Sequence, residues 1–380
     1  MNTRISSFLS RPVALAATAL ATALLATGPA QAAHGVAATA GQTDAAPSTR
    51  PLPVVASFSI LADLVKQVGG DRVAVESLVK AGGDTHVFQP GPAQVRQLSS
   101  ASLVVVNGLG FEGWMPRLIG SSGYKGPVVE AARGLQAMKA TDDRHHHGDD
   151  ADDDDHDHEG PHGHDHDHDG PHGHDHDEDG PHGHSHANHD HDEASHGHHH
   201  HHHGGLDPHA WQDALNVRHY VANIAEGLCQ AAPADCSGFR ERARAYDQKL
   251  LELDQEIHQA VDATPTDRRR VMVSHAAFGY YGRAYHITFM APVGVSTEEE
   301  PSASVVANLI RQARQQNVQA FFFENNSDPR LLKRMASELK NVTIGELYAD
   351  SLSPANGPAA DYLSMMRYNT RAISQALSKK

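Results

Sequence analysis

Pro-Val-Val-Ala-Ser-Phe-Ser-Ile-Leu-Ala-Asp-Leu-Val-Lys-Gln-Val-Gly-Gly-Asp-Arg-Val-Ala-Val-Glu-Ser-Leu-Val, residues 53–79, changes its hydrophobic period twice. Residues 53–57 form a short apolar run of strand character. Residues 59–65 carry apolar side chains at helical spacing, and Gly69-Gly70 stops that pattern. Residues 73–79 read as a second strand. Further along, Leu103-Val104-Val105-Val106 and Ala320-Phe321-Phe322-Phe323 are apolar without alternation. Such runs fit parallel strands covered on both faces. Strand and helix in alternation imply an α/β fold with parallel sheets.

The same reading extends through the chain. Residues 92–98 and 216–228 are helical. From Ser237 a long helix runs to Val261, with Phe239, Ala243, Tyr246, Leu250, Leu253, Ile257 and Val261 on one face. It would span about 37 Å. A second α/β pattern follows: strands at 271–273, 285–290, 320–323 and 342–347, and helices at 303–316 (capped by Ser302), 329–339 and 361–377. The expected fold is two Rossmann-like α/β lobes, 51–232 and 264–380. A backbone helix over 233–263 joins them, and a ligand cleft lies between.

One segment does not belong to that pattern. Twenty-four of the 31 histidines lie between His145 and His203, with 18 Asp or Glu and no Lys or Arg. Three ten-residue units open on Gly160, Gly170 and Gly180. The stretch has too few apolar side chains to offset the entropy of ordering it. Residues 142–205 therefore read as a disordered loop inserted in the first lobe. Imidazole and carboxylate together suit capture of borderline metal ions. The insert also explains the net charge of −16: outside His145–His203, 29 acidic residues face 31 Lys and Arg. A near-neutral remainder lacks the basic face of a nucleic-acid binder.

Residues 1–32 read as a secretory signal, with Arg4 and Arg11 before a short apolar stretch and an Ala30-Gln31-Ala32 cleavage site. No cysteine lies directly after that stretch to accept a lipid, so the expectation is a periplasmic protein without a lipid anchor. Residues 33–50 read as a disordered lead-in. Cys229 and Cys236 are the two cysteines. In an oxidising compartment they suit a structural disulfide, the rival being a zinc-binding pair.

Four loop residues follow predicted strands, where α/β sheets collect ligands. His86 lies in Gly-Gly-Asp-Thr-His-Val-Phe-Gln-Pro, and His209 in Leu-Asp-Pro-His-Ala-Trp-Gln-Asp. His275 lies in Val-Ser-His-Ala-Ala-Phe-Gly-Tyr-Tyr-Gly, and Asp350 in Leu-Tyr-Ala-Asp-Ser-Leu. Together these segments resemble the zinc- and manganese-specific solute-binding proteins of ABC importers, the ZnuA-like group, over residues 53–380. The resemblance implies a metal held between the lobes by His86, His209, His275 and Asp350. It also implies a membrane permease as partner and a monomeric receptor, and leaves room for a periplasmic zinc chaperone. Manganese-type relatives typically carry a carboxylate at the third position, where this chain has His275. Three imidazoles and a carboxylate suit tetrahedral Zn(II). The chain departs from the group at Thr85, where Pro is common, and at Ser351-Leu352, where Pro and Gly often follow the Asp.

The function expected is zinc capture for an importer, with the His-rich loop assisting capture or sensing. Asp84 and Asp207 are candidate supporting or turn residues, Asp207 also a helix cap. Glu298 to Glu300 read as a solvated charge run, and His219, His258 and His286 as structural or surface residues. Two other readings remain open at the level of sequence. One is a zinc buffer or adhesin-like protein without a permease. The other is a zinc hydrolase, which needs an open coordination position and a general base. No His-Glu-x-x-His or Ser/His/Asp motif is present to support it.

Overall fold

The structure is a computed structural model that describes residues 50–140 and 205–378. The leader, residues 33–49 of the lead-in and the His-rich run lie outside the described residues.

Two parallel four-stranded sheets repeat one topology. The first holds β1 (Leu52–Phe58), β2 (Val73–Val79), β3 (Leu103–Val106) and β4 (Val128–Glu130), in the order β2-β1-β3-β4. The second holds β5 (Arg270–Val273), β6 (Thr288–Met290), β7 (Ala320–Glu324) and β8 (Thr343–Leu347), in the order β6-β5-β7-β8. Val54 pairs with Leu103 and with Val75, and Met272 with Phe321 and Met290. In each sheet the chain leaves its first strand to one side and returns on the other. A switch point of that kind opens a crevice at the carboxyl ends of the two central strands. The α/β class and parallel sheets expected from the apolar runs are the ones observed.

Helices cover both faces. In the first half these are α1 (Ser59–Gly69), α2 (Pro92–Ser99), α3 (Met115–Ser122) and α4 (Ala214–Ala231). Then come α5 (Cys236–Asp262), α6 (Gly279–Tyr285), α7 (Ala303–Gln315), α8 (Arg330–Ser337) and α9 (Tyr362–Ser378). The buried face of α5 consists of the seven residues its spacing identified, Phe239 to Val261. It rests against α1, α4 and α9, and so against helices of both halves. A disulfide joins Cys229 near the end of α4 to Cys236 at the start of α5. Outer layers cover each sheet separately, around Val104 and Leu118 in the first and Phe321 and Met335 in the second. The inner layers are continuous. Residues of β1, α1, α4, α5, α6 and α9 form one cluster that spans both sheets.

Three elements differ from the sequence reading. Tyr285 ends α6 instead of opening a strand, and His286, at φ 57°, turns the chain into the shorter β6. Aromatic residues favour strands, but here Tyr280, Tyr281 and Tyr285 are all buried by a short helix. Helix α3 was hidden by Gly120-Ser121-Ser122, poor helix formers, although Met115 and Leu118 are buried. Strand β4 is three residues long. At α7, Ser302 does cap the helix, accepting the Val305 amide proton.

Candidate metal centre

The four singled-out loops meet at one point between the sheets. His275 leaves the end of β5 and Asp350 follows β8, while His86 lies in the loop after β2 and His209 just before α4. The Nε2 atoms of His86 and His275 are each 3.4 Å from Nε2 of His209. Asp350 Oδ2 is 3.1 Å from Nε2 of His275 and 3.5 Å from that of His86, and Oδ1 is 3.6 Å from Nε2 of His209. A tetrahedron with metal–ligand bonds of about 2.0–2.1 Å has edges of about 3.3–3.4 Å. The observed separations scatter around that value.

Three devices aim the four side chains. The Asp207 carboxylate accepts both the His209 amide proton at 2.9 Å and the bond from its Nδ1 at 2.8 Å. The Glu324 carboxylate does the same for His275, at 3.1 Å to the amide and 2.5 Å to Nδ1. In both rings a carboxylate on Nδ1 turns Nε2 toward the shared point, as around many metal-binding histidines. His86 is set by its loop. Asp84 Oδ1 accepts its amide proton at 2.9 Å, and Trp114 Nε1 donates to the Thr85 carbonyl at 2.8 Å. The His86 ring also stands edge-on to Phe111, with centroids 4.8 Å apart. The segment that presents Asp350 is fixed through the Ala349 carbonyl, which accepts from Trp211 Nε1 and Gln212 Nε2, both at 2.9 Å.

Burial makes the charges strong. The Asp350 side chain is fully buried, and the nearest polar partners of its oxygens are the three imidazole nitrogens. Burial alone would raise its pKa, but His275 and His209 outweigh that and hold it well below the usual carboxylate range. Burial works against the charged form of His275, yet Glu324 and Asp350 on either side hold its pKa well above the usual imidazole range. Burial pushes His86 down, and Asp350 only partly opposes this. Both shifts favour a carboxylate at Asp350 facing an imidazolium at His275.

Behind the cleft lies Glu112, buried and pushed up to about 7 by burial. It accepts from Ser57 Oγ at 2.5 Å and the Asn107 amide at 2.6 Å, tying the ends of β1 and β3 together. Neither Glu112 nor Glu324 was singled out from sequence. Glu324 had a signal: a charged residue ending the apolar run 320–323, on the strand beside the one that leads to His275. Asp207 caps no helix, since Asp213 is the cap of α4, and its role is the bond to His209. Glu298 to Glu300 are exposed, as are His219 and His286, and His258 sits against Tyr285.

The ZnuA family, described as the periplasmic component A of the zinc-uptake complex, matches residues 54–376. The chain belongs to this family. Its members are solute-binding proteins of metal ABC importers, which work with a membrane permease and are not enzymes. Among curated relatives, the manganese ABC transporter substrate-binding lipoprotein PsaA of Streptococcus anginosus is 26% identical over 350 residues, covering 90% of this chain and 94% of the relative. The manganese-binding lipoprotein MntA of Halalkalibacterium halodurans is 25% identical over 328 residues, covering 86% and 89%. The periplasmic zinc-binding protein TroA of Treponema pallidum shares the fold, with a TM-score of 0.67 at 23% identity over 87% of this chain and all of that one. The two curated relatives are named as lipoproteins, which runs against an unanchored protein. In this chain both cysteines are joined to each other.

Proposed function

We propose that the chain is a periplasmic receptor for Zn(II), which it holds on His86, His209, His275 and Asp350 and delivers to the permease of an ABC importer. The observation that carries this reading is the convergence of three imidazole Nε2 atoms and the buried Asp350 carboxylate: each imidazole lies 3.1–3.6 Å from a carboxylate oxygen, and one donor atom from each residue lies within 4.8 Å of all the others. Three imidazoles and one carboxylate favour zinc over manganese, which prefers more oxygen ligands. Manganese is the specific rival, because the curated relatives above are named for it. Competition between the two ions for the metal-free protein decides between them, and the zinc assignment requires zinc to win at equal free concentration.

In this reading the chain comprises a signal over 1–32, lobes over 51–232 and 264–380, and the linking helix 233–263. The His-rich segment 142–205 supplies weaker, exchangeable sites that raise zinc near the cleft or sense sufficiency. Titration of the wild type, a deletion of 142–204 and His86→Ala tests this division. Loss of the tightest site on deleting the loop, with His86→Ala unaffected, would sink it. The receptor is proposed to be monomeric and unanchored, since no free cysteine remains among residues 50–378. Its release by osmotic shock without detergent checks the second point against the relatives' names.

A further inference from the structure

Two of the three imidazoles are oriented from within their own half of the molecule, His209 by Asp207 and His275 by Glu324. Among the described residues no carboxylate faces Nδ1 of His86. It is also the outermost ligand. Its side chain is 5% exposed against 0–2% for the other three, and the neighbouring Val87 is 48% exposed. What places His86 is the loop that carries it, and that loop is held by the opposite half at two points.

The first point is Ser351. It directly follows Asp350, is buried, and its Oγ accepts the Gly82 amide proton at 2.7 Å. The next amide, of Leu352, donates to Ser59 Oγ at 3.0 Å and so pins the Asp350 loop to the first residue of α1. The second point is Thr297. Its hydroxyl donates to Asp84 Oδ2 at 2.8 Å, while Oδ1 of the same carboxylate accepts the His86 amide proton. The two bonds hold the loop at residues 82 and 84, on the N-terminal side of His86, and both reach across the cleft.

We infer that Ser351 and Thr297 are positioning residues that clasp the His86 loop, so that cleft closure and acquisition of the His86 ligand are one event. The inference rests on the four-residue zinc site proposed above. Neither residue touches the metal. Each biases a loop whose other supports, Trp114 and Phe111, belong to the loop's own half. Opening the cleft toward a permease would then withdraw the outermost ligand first and leave a three-coordinate ion that is easier to extract.

The test is zinc affinity by chelator competition for Ser351→Ala, Thr297→Val and their combination, each also made in a His86→Ala background. One net hydrogen bond corresponds to about a five-fold change, and two to about 25-fold. Those are the expected losses with His86 present. With His86→Ala they should shrink to within about two-fold, because the clasp has no ligand left to deliver. Thr297→Ser, which keeps the hydroxyl, should bind like wild type, and melting of the metal-free variants shows that they fold. Equal losses in both backgrounds, or wild-type affinity for both single variants, would overturn the clasp alone. His86→Ala binding zinc as tightly as wild type would overturn the site itself, and the clasp with it.

Discussion

Replacing Glu324 by Gln keeps the volume of a side chain that is 1% exposed and removes its charge. The Glu324 carboxylate accepts two bonds from His275, 2.5 Å from Nδ1 and 3.1 Å from the amide. Gln offers one oxygen for two donors, and its NH2 group then faces an N–H. Partners of metal-bound histidines typically contribute 10–100-fold in metal affinity, or about 1.4–2.7 kcal/mol. Full burial places Glu324 toward the upper end. A second effect opposes the first. In the metal-free protein Glu324 and Asp350 hold the His275 imidazolium above its usual range, against the effect of burial, so zinc must displace a proton there. Removing Glu324 eases that displacement, by about 1.4 kcal/mol for each unit the His275 pKa falls. The relief operates only while wild-type His275 is protonated. Competition with a chromophoric chelator should therefore show Glu324→Gln about 30–100-fold weaker at alkaline pH, where His275 has lost its proton, with a deficit that shrinks as pH falls. A loss below about three-fold at every pH, or a deficit that grows as pH falls, would refute the role given to Glu324.

The same charges predict the pH response of the wild type. Zinc binding at pH 7 should release about one proton, from His275, as read by calorimetry in buffers of different ionisation enthalpy. In the metal-free protein the raised His275 pKa adds stability that is complete below about pH 6.5 and lost as pH rises through the raised value. The depressed Asp350 pKa adds stability that is complete above about pH 3.9 and lost as pH falls through the depressed value. These two contributions are constant between those limits, so the His275 part of the metal-free stability should be lost on the alkaline side, as read by thermal melting. A Cβ added at Gly279 would lie 2.7 Å from Asp207 Oδ2. Gly279→Ala should therefore disturb the carboxylate that aims His209 and weaken zinc about tenfold, measured by the same competition. The Cys229–Cys236 bridge closes a short loop at a sequence separation of 7. Replacing both by Ser should cost about 2–3 kcal/mol in denaturant unfolding and change zinc affinity less than about two-fold, since the bridge is remote from the cleft.

Most of the centre was legible because its ligands sit in short motifs at strand ends, and their order along the chain fits one known family. The buried face of α5 was legible because seven apolar residues keep helical spacing over six turns of an otherwise polar sequence. Glu324 was not, because its importance is tertiary: β7 pairs with β5 and so sets the end of 320–324 beside His275. The same applies to Ser351 and Thr297, whose partners lie 269 and 213 residues away. Helix α6 was missed because tyrosines at 280, 281 and 285 carry strand propensity, and only the shared core shows which side of the chain they fill.

Zinc held by four residues at one point between the sheets is the heart of the proposed function. Anomalous scattering across the zinc absorption edge from crystals of the zinc-loaded protein tests it directly. One strong peak is expected, with His86, His209 and His275 Nε2 and an Asp350 oxygen all at about 2.0–2.1 Å. A fully occupied peak elsewhere, or a zinc ion in the cleft with Asp350 or any of the three histidines out of reach, would contradict the four-residue site.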